Sequence, residues 1–240
     1  MELLEKESKI TELGSSQYPE LLSVISSAPK VLYYKGDIST AKNCFAVVGA
    51  RKCSDYGKKL AYSISYNLAK AGLTIVSGLA HGIDSSAHKG ALDAKGKTIA
   101  ILGTGLDPKV IYPQENLKLA EEILKRGGCL ISEYPESQRG AKFTFPKRNR
   151  LISGISFGVL VVEAKEKSGA LITAEWARKQ GRKVFAVPGP IDSLSSKGPH
   201  LLIKQGAFLV ESTEDILEKL GIKPLTQAQK KIYIGHIKVF

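Results

Sequence analysis

The stretch that most constrains the fold runs from Phe45 to Asp84 and combines two apolar runs with one amphipathic segment. The apolar runs are Phe45–Val48 and Leu73–Ser77, and each is followed by a glycine, which is typical of short strands buried within a sheet. Between them, apolar side chains recur at helical spacing, which predicts a helix that ends near Gly72. A strand, a helix and a second strand in this order predict a parallel crossover unit.

The loop between the first strand and the helix carries positive charge, because it contains Arg51 and Lys52. Parallel strands of one crossover unit end on the same edge of the sheet, so we expect Arg51 to lie close to Ser77 and Gly78. Ligands of open α/β sheets bind at this carboxyl edge. A helix N-terminus beside two cations predicts that the ligand is anionic.

Apolar runs and helical periodicity alternate through the rest of the chain. Further strands are predicted at Thr98–Leu102, Cys129–Ser132, Gly158–Val162, Lys183–Val187 and Ala207–Val210. Further helices are predicted at Ser85–Ala94, Glu115–Arg126, Lys147–Ser153, Ala170–Gln180, Pro199–Gln205 and Thr213–Leu220. The alternation predicts an α/β fold with a doubly wound, mainly parallel sheet that helices cover on both faces.

The sequence divides into three parts. Residues 1–40 are predicted to be a short lead-in, with a helix in Met1–Gly14 and a strand at Val31–Tyr34. Residues 41–221 are predicted to form the α/β domain, and residues 222–240 a tail that is too short for another domain such as a winged helix. A long loop, Glu133–Pro146, is expected at the carboxyl edge, where such loops are usually functional.

The charge of the chain points to a polyanionic partner. The formal net charge is +12 and the sequence pI is about 9.5, a balance that favours nucleic acid, and the absence of a basic amphipathic helix argues against a lipid surface. No apolar run is long enough to span a membrane, and the first residues do not resemble a signal peptide. Cys44, Cys53 and Cys129 lack CxxC spacing, so free thiols and a reducing, cytoplasmic location are expected.

Motifs of common enzyme classes are missing from the sequence. Arg51 stands where a GxGxxG dinucleotide fingerprint needs its second glycine, and its side chain would block the pyrophosphate. We find no GxxxxGK[ST] phosphate loop, no HExxH metal motif and no GxSxG elbow. We therefore expect a protein that is not an enzyme and that carries neither a cofactor nor a metal.

The strongest positive signal is Lys142–Arg150, which reads KFTFPKRNR and holds four cations and two aromatic residues. Lysine and arginine neutralise phosphates, and an aromatic ring stacks on an unpaired base. A solvated basic loop whose Phe residues belong to the core is the alternative. Because the stretch follows the fourth predicted strand of the sheet, it shares an edge with Arg51 and Lys52, and this convergence favours a nucleic-acid interface.

Several motifs resemble the DNA-processing protein A family (DprA, also called Smf). They occur in family order from about Tyr18 to Ala207 and include VVGARKCSDYG, SGLAHGIDSSAH, YPQEN, FPKRNRLISG, VVEAKEKSGALITAEWA and GRKVFAVPG. The resemblance implies an extended Rossmann-like domain that binds single-stranded DNA as a homodimer. It also implies protection of incoming DNA and loading of the RecA recombinase during natural transformation. Many members carry further domains at both ends, and no match to them is found here.

The resemblance also implies roles for particular residues. The DNA-contacting positions that match the family are Arg51, Ser77, Gly78, Lys142, Phe145 and Asn149. Weaker matches are Lys52, Arg148 and Arg150, of which Arg148 or Arg150 could instead brace the loop through backbone carbonyls. From the basic stretch itself, Lys147 or Arg148 is expected to contact a phosphate. His81 stands where many members have arginine, so one phosphate contact is not carried over.

In two places the sequence offers neighbouring side chains for one role, and we choose between them. Phe145 is preferred over Phe143 as the stacking ring, because Pro146 fixes its backbone just before the basic helix. An extended backbone around Thr144 would place the two rings on opposite sides. For the dimer interface, Ile203 and Leu209 are the best matches, whereas Leu202 is expected to be core.

Two other functions stay open at this point. The wider superfamily includes phosphoribohydrolases, and Lys167–Glu175 keeps a Gly, a Thr and a Glu of their catalytic loop. Glu163 and Glu175 could then form an acid pair, although structural roles for both are favoured. The third possibility is a protein-interaction scaffold whose charge only maintains solubility. Assays of nucleoside monophosphate hydrolysis and of single-stranded DNA binding separate the three.

Overall fold

A single sheet organises the computed structural model, which describes residues 1–222. Its strands are β1 (Lys9–Glu12), β2 (Val31–Gly36), β3 (Cys44–Val48), β4 (Thr74–Ser77), β5 (Thr98–Leu102), β6 (Cys129–Ser132), β7 (Gly158–Val161), β8 (Lys183–Ala186) and β9 (Phe208–Leu209). Their spatial order is β1-β2-β6-β5-β4-β3-β7-β8-β9. The strands from β6 to β9 are all parallel, while β1 pairs with β2, and β2 with β6, antiparallel. The prediction of a mainly parallel α/β sheet is confirmed.

Helices cover both faces of this sheet. They are α1 (Glu2–Glu5), α2 (Glu20–Ser23), α3 (Asp55–Lys70), α4 (Ile83–Asp93), α5 (Leu117–Lys125), α6 (Thr144–Gly154), α7 (Gly169–Lys179), α8 (Lys197–Lys204) and α9 (Thr213–Leu220). Within β3, Ala46 and Val48 belong to the core under α2, α6, α7 and α8, whereas Phe45 and Val47 belong to the core under α3, α4 and α9. Every residue of β3 is buried, as a strand with two covered faces requires.

The order of strands reverses beside β3, the first strand of the parallel part. From β3 the chain builds outward through β4, β5 and β6 on one side, and later through β7, β8 and β9 on the other. β3 and β7 are neighbours in the sheet, and the chain continues from them towards opposite edges, so the loops that follow these two strands lead away from each other. In open α/β sheets the crevice at such a reversal is the usual place for a ligand.

The lead-in differs from the prediction. The prediction that Met1–Gly14 is helical is wrong for most of that segment. Helix α1 covers only Glu2–Glu5, and Lys9–Glu12 forms strand β1. Ile10 and Thr11 are β-branched, and their strand pairs along β2, which would otherwise be an exposed edge. Residues 9–36 thereby extend the sheet beyond β6. Apart from Ile222, the predicted tail lies outside the described residues.

Helix α6 begins earlier than the sequence pattern indicated. It starts at Thr144, three residues before the predicted start at Lys147. The backbone N–H of Ala141 donates to Thr144 Oγ1 at 3.0 Å and fixes the approach to the helix. Pro146 lies in the first turn, where a missing N–H costs no helical hydrogen bond. The loop at the carboxyl edge therefore ends at Phe143. Lys142 still belongs to the loop, whereas Lys147, Arg148 and Arg150 are helical.

The three cysteines are free thiols, as predicted. Burial raises the pKa of Cys44 and of Cys129, so both stay protonated and inert. Within residues 1–222, no helix has the length and apolar character needed to cross a membrane.

His88 of α4 is the one histidine in residues 1–222 that is completely buried. Its Nδ1 lies 2.7 Å from Thr98 Oγ1, and that hydroxyl donates to the carbonyl of Ile75 at 2.8 Å. Since the hydroxyl proton is used by Ile75, Nδ1 carries the proton of the ring and donates to the hydroxyl. The Nε2 atom has no hydrogen-bond partner in the described structure. Burial lowers the pKa of His88 to about 3.

Acidification from pH 7 to pH 5 should therefore lower the free energy of unfolding by about 2 kcal/mol through His88 alone. The unfolded side chain, with a pKa near 6.5, binds a proton in this range, whereas the folded one, with a pKa of about 3, does not. Stability is thus full above the unfolded pKa and falls as the pH drops towards the folded pKa. Urea unfolding at both pH values measures the effect.

The pH dependence should be reduced in His88→Gln and retained in His81→Gln, which changes an exposed histidine. A His88→Gln protein that keeps the full pH dependence would contradict the assignment.

Candidate functional site

An open cleft of about 840 Å³ lies at the carboxyl edge of the sheet. It is bounded by the loops that follow β3, β5 and β6 and by the first turns of α6 and α7. Among residues 1–222, four exposed cationic side chains line it: Arg51, Lys109, Arg139 and Lys142. Of the residues predicted from sequence, the cleft brings together Arg51, Lys142, Phe145, Arg148 and Asn149.

Phe145 forms an aromatic wall of the cleft together with Tyr112. The two ring centroids are 5.7 Å apart in an edge-to-face arrangement. The guanidinium carbon of Arg51 lies 5.6 Å from the Phe145 centroid and 6.0 Å from the Tyr112 centroid. A Cβ atom at Gly103 or at Gly140 would come within 2.8 Å of the Phe145 ring, so these glycines let the backbone approach it. A positive group and two rings therefore share one side of the cleft.

Phe143, the competing ring, has a different setting. Its side chain is 69% exposed, and the residue directly precedes α6. Phe145 lies in the first helical turn and is only partly exposed within the cleft. The backbone is helical from Thr144 onward, so the extended geometry that would place the two rings on opposite sides does not occur. The structure thus distinguishes the two rings by their location relative to the cleft.

Arg148 forms the floor of the cleft. It is 5% exposed, and its Nη1 donates to the carbonyl of Gly78 at 3.0 Å and to that of Ile101. Burial lowers the pKa of Arg148 to about 10, and the neighbouring carboxylate of Asp84 partly offsets this effect, so the side chain stays charged at neutral pH. A Cβ at position 78 would lie 2.5 Å from the guanidinium, which explains the glycine there. Arg148 therefore braces the site through backbone carbonyls, one of the two roles expected.

Arg150 and Lys147 are joined to a carboxylate outside the cleft. Arg150 Nη2 lies 2.6 Å from Glu133 Oε2, and both side chains are buried. Lys147 Nζ lies 3.4 Å from the same oxygen, but the lysine side chain is half exposed. Neither residue lines the cleft. Arg150 is thus placed to hold α6 against the loop after β6, while Lys147 reaches solvent beside it.

Ser77, at the end of β4, and Gly78, which follows it, are both buried. The hydroxyl of Ser77 is buried and donates to the carbonyl of Val47 at 2.7 Å, which links β4 to β3. Gly78 lines a small cavity together with Arg51 and Phe145, so the predicted proximity of Arg51 and Gly78 is confirmed. Lys52 is exposed but lies outside the residues that line the cleft.

Asn149 connects two elements of the cleft wall. Its Nδ2 donates to the carbonyl of Gly169 at 3.0 Å, and its Oδ1 accepts from Arg148 Nε at 3.2 Å. Because these bonds orient the amide, Asn149 fixes α6 relative to the first turn of α7. His81 is exposed near the same edge, with Nε2 3.6 Å from a carboxylate oxygen of Glu115.

Sequence reasoning missed three residues that line the cleft. Tyr112, Lys109 and Arg139 had no assigned role, although the first two follow β5 and the third follows β6. The same rule that located Arg51, namely that parallel strands end on one edge, would have found them. The signal in the sequence was Tyr112 of the YPQEN motif, which lies between Lys109 on the same loop and Arg139 on the loop after β6.

The helix N-terminus expected to hold an anion is occupied by a side chain of the protein. Glu163, at the end of β7, accepts from the backbone N–H of Ser54 at 2.9 Å and from its hydroxyl at 2.5 Å. A Cβ at Gly57 would lie 2.6 Å from that carboxyl group. A carboxylate therefore already lies beside the start of α3, so the prediction of an anionic ligand rests on the basic side chains of the cleft.

The carboxylates considered for catalysis have structural partners. Glu163 is buried and accepts hydrogen bonds from Ser54, the N-cap residue of α3. Glu175 is exposed and forms an ion pair with Lys179 at 2.7 Å, one turn further along α7. The structural roles favoured from sequence agree with these contacts.

The segment expected at a dimer interface lies at the end of the sheet. Leu209 belongs to the edge strand β9 and is 46% exposed. Ile203 is only partly buried and packs against the core, while Leu202 is core, as expected. The exposed apolar surface here also includes Phe208 and Leu201.

Comparison with known proteins identifies relatives over most of the chain. Residues 9–221 match the sequence model of a family described as DNA recombination-mediator protein A. Protein Smf of Escherichia coli (strain K12) is 48% identical over 207 residues, which cover 86% of this chain but 55% of that protein. The chain thus spans little more than half the length of this relative.

Two solved structures are similar in sequence and in fold. DNA processing protein A (DprA) from Streptococcus pneumoniae is 44% identical, with a TM-score of 0.82 over 90% of this chain and 75% of that chain. DNA processing protein A from Helicobacter pylori, described with a unique single-stranded DNA binding mode, is 30% identical, with a TM-score of 0.78. That match covers 88% of this chain and 95% of the other.

Proposed function

The chain belongs to the DNA recombination-mediator protein A family, and from this premise we propose that its cleft binds single-stranded DNA. One observation carries the proposal: exposed cations surround an aromatic wall in a single cleft at the carboxyl edge. Cations neutralise the phosphates of a nucleic acid, and rings stack on its bases. The Helicobacter pylori relative, described with a single-stranded DNA binding mode, supports the same ligand.

The division between buried and exposed cations supports a specific arrangement of contacts. Arg51 and Lys142 are exposed on the cleft and are the phosphate contacts that we propose, with Lys109 and Arg139 beside them. Arg148 is held by backbone carbonyls and adds positive potential from below.

Phe145 gives the cleft its preference for single strands. Duplex DNA carries the denser charge, so charge alone would favour it. The ring lies inside the cleft rather than on the outer surface. Only an unpaired base can turn away from its strand and reach such a ring. Because every base has a face to stack, sequence preference should be slight.

The biological role that we propose follows from the family. Incoming single-stranded DNA would be protected in the cleft and passed to the RecA recombinase during natural transformation, in the cytoplasm. Binding rather than catalysis is proposed, and the structural use of Glu163 and Glu175 supports this choice.

A homodimer formed through β9 completes the proposal. An edge strand with exposed apolar side chains favours pairing with a second copy of the chain. Two clefts joined in this way would hold one strand at two places, which strengthens binding without new contacts.

Arg51→Ala should weaken single-stranded DNA binding uniformly across sequences and reduce its salt dependence. Each lost phosphate contact lowers the slope of log affinity against log salt by about 0.7 on single strands. Fluorescence anisotropy of labelled oligonucleotides over a salt series measures the slope. Lys89→Ala removes an exposed cation of α4 outside the cleft and is the matched control. An affinity that hardly changes with salt would overturn the proposed site.

Phe145→Ala should weaken oligo-dT binding about five-fold to over a hundred-fold, the equivalent of one stack worth about 1–3 kcal/mol. Duplex binding and the salt slope should change little, because the phosphate contacts remain. Phe143→Ala is the control, since that ring lies outside the cleft lining. Equal losses for single and double strands, or a selective loss in Phe143→Ala, would show that Phe145 is not the stacking residue.

Leu209→Arg should give monomers that fold normally, because it places a charge on the exposed edge strand without touching the core. Sedimentation velocity measures the oligomeric state. Ile10→Arg makes the same change at a 55% exposed position of β1, on the opposite edge of the sheet, and should leave the dimer intact. Leu209 is preferred to Ile203 for this test because Ile203 packs against the core. A Leu209→Arg dimer of unchanged stability would exclude β9 as the interface.

A further inference from the structure

Tyr112 is held on a turn that the surrounding structure fixes. Its neighbours Ile111 and Pro113 are buried, so the backbone cannot shift away from the cleft. Gln114 Nε2 donates to the carbonyls of Pro108 at 2.9 Å and of Ile111 at 2.8 Å, which closes the turn. The Tyr112 side chain is nevertheless 50% exposed. A large ring is thus presented at the cleft on a rigid support.

The Tyr112 ring contacts Phe145 and Arg51 along the cleft. Its centroid lies 5.7 Å from Phe145 and 6.0 Å from the Arg51 guanidinium. Packing against Phe145 alone does not account for the position of Tyr112, because the residue is 50% exposed and lines the cleft. An exposed aromatic ring beside cations is what a nucleic-acid base stacks on.

Arg51 lies over both rings, with its guanidinium carbon 5.6 Å from the Phe145 centroid, so it occupies space above faces on which a base could stack. An exposed cation–π contact is weaker than one base stack. The guanidinium also gains a charge-assisted hydrogen bond if it moves from the rings to a phosphate. The exchange is therefore favourable on both counts.

Resting on the proposed function, we propose that Tyr112 is a second base-stacking residue of the cleft and that Arg51 exchanges the rings for a phosphate when a base stacks there. The ligand is an unpaired nucleotide of a DNA strand. Because the planes of the two rings are 62° apart, each ring stacks on a different base, and the arginine holds the backbone between them.

The first test compares oligo-dT with an oligonucleotide of equal length whose bases are replaced by abasic sites, so that the phosphate charge is the same. Tyr112→Leu should lower the affinity for oligo-dT at least five-fold and leave the affinity for the abasic strand within two-fold. Tyr56→Leu is the matched control, because Tyr56 is 51% exposed on α3, away from the cleft, and should change neither. Equal behaviour of the two variants, or an equal loss on both strands in Tyr112→Leu, would overturn the proposal.

The second test concerns Arg51. Arg51→Met removes a phosphate contact, but it also removes the group that competes with a base for the rings. The affinity for the abasic strand should therefore fall more than the affinity for oligo-dT. Equal losses on both strands would show that Arg51 does not compete with the base. If Arg51→Met changed neither affinity, the proposed DNA site itself would be wrong, which separates that failure from a failure of the Tyr112 assignment.

Discussion

Arg148 carries a positive charge beneath the carboxyl edge, where its guanidinium donates to the carbonyls of Gly78 and Ile101. These carbonyls follow β4 and belong to β5, so one side chain of α6 joins three elements that are far apart in sequence. The same side chain donates to Asn149, which in turn holds the first turn of α7. Removing the guanidinium would remove the hydrogen bonds that link α6 to the carbonyls of Gly78 and Ile101 and would loosen the helix that carries Phe145. The shape of the cleft thus depends on a buried cation that the ligand need not touch.

Burial sorts the basic residues of this edge into two groups with different tasks. Arg148 donates hydrogen bonds to backbone carbonyls, and Arg150 pairs with Glu133, so both stabilise the fold. Arg51 and Lys142 are exposed, and their donors face solvent or a ligand. A buried charge still acts at a distance, and it does so through a medium that screens it less than water. An anion at the cleft would therefore meet exposed cations backed by a fixed positive charge. A run of basic residues in a sequence cannot show this division, because it depends on which side of the helix meets the sheet.

The sequence predicted the architecture well where the signal was local. The apolar runs, the glycines after them and the helical spacing between them, from Phe45 to Ser77, predicted β3, α3 and β4. The alternation of strands and helices predicted a mainly parallel sheet, but the strand order was visible only in the structure. Lys9–Glu12 was missed because its strand exists only through pairing with β2, a tertiary effect that overrides local pattern. At the site, Arg51, Lys142 and Phe145 were found because edge geometry follows from parallel strands. Tyr112 was missed because the edge rule was not applied to the loop after β5. Ser77 is buried because β4 is a central strand with both faces covered, and its hydroxyl bonds to the carbonyl of Val47.

The carboxylate of Glu163 affects whether small nucleotides can compete with a larger ligand for the carboxyl edge of the sheet. In many sheets of this kind the first helix after the switch point offers its N-terminus to the phosphate of a small nucleotide. Here that position holds a built-in negative charge bonded to Ser54, so the phosphate of a free nucleotide would meet repulsion instead of hydrogen-bond donors. A cell contains abundant soluble nucleotides, which share both rings and phosphates with a DNA strand. Under the proposed function, a protein that fills its own phosphate position would favour a polymer, which can make several weak contacts at once, over its monomers.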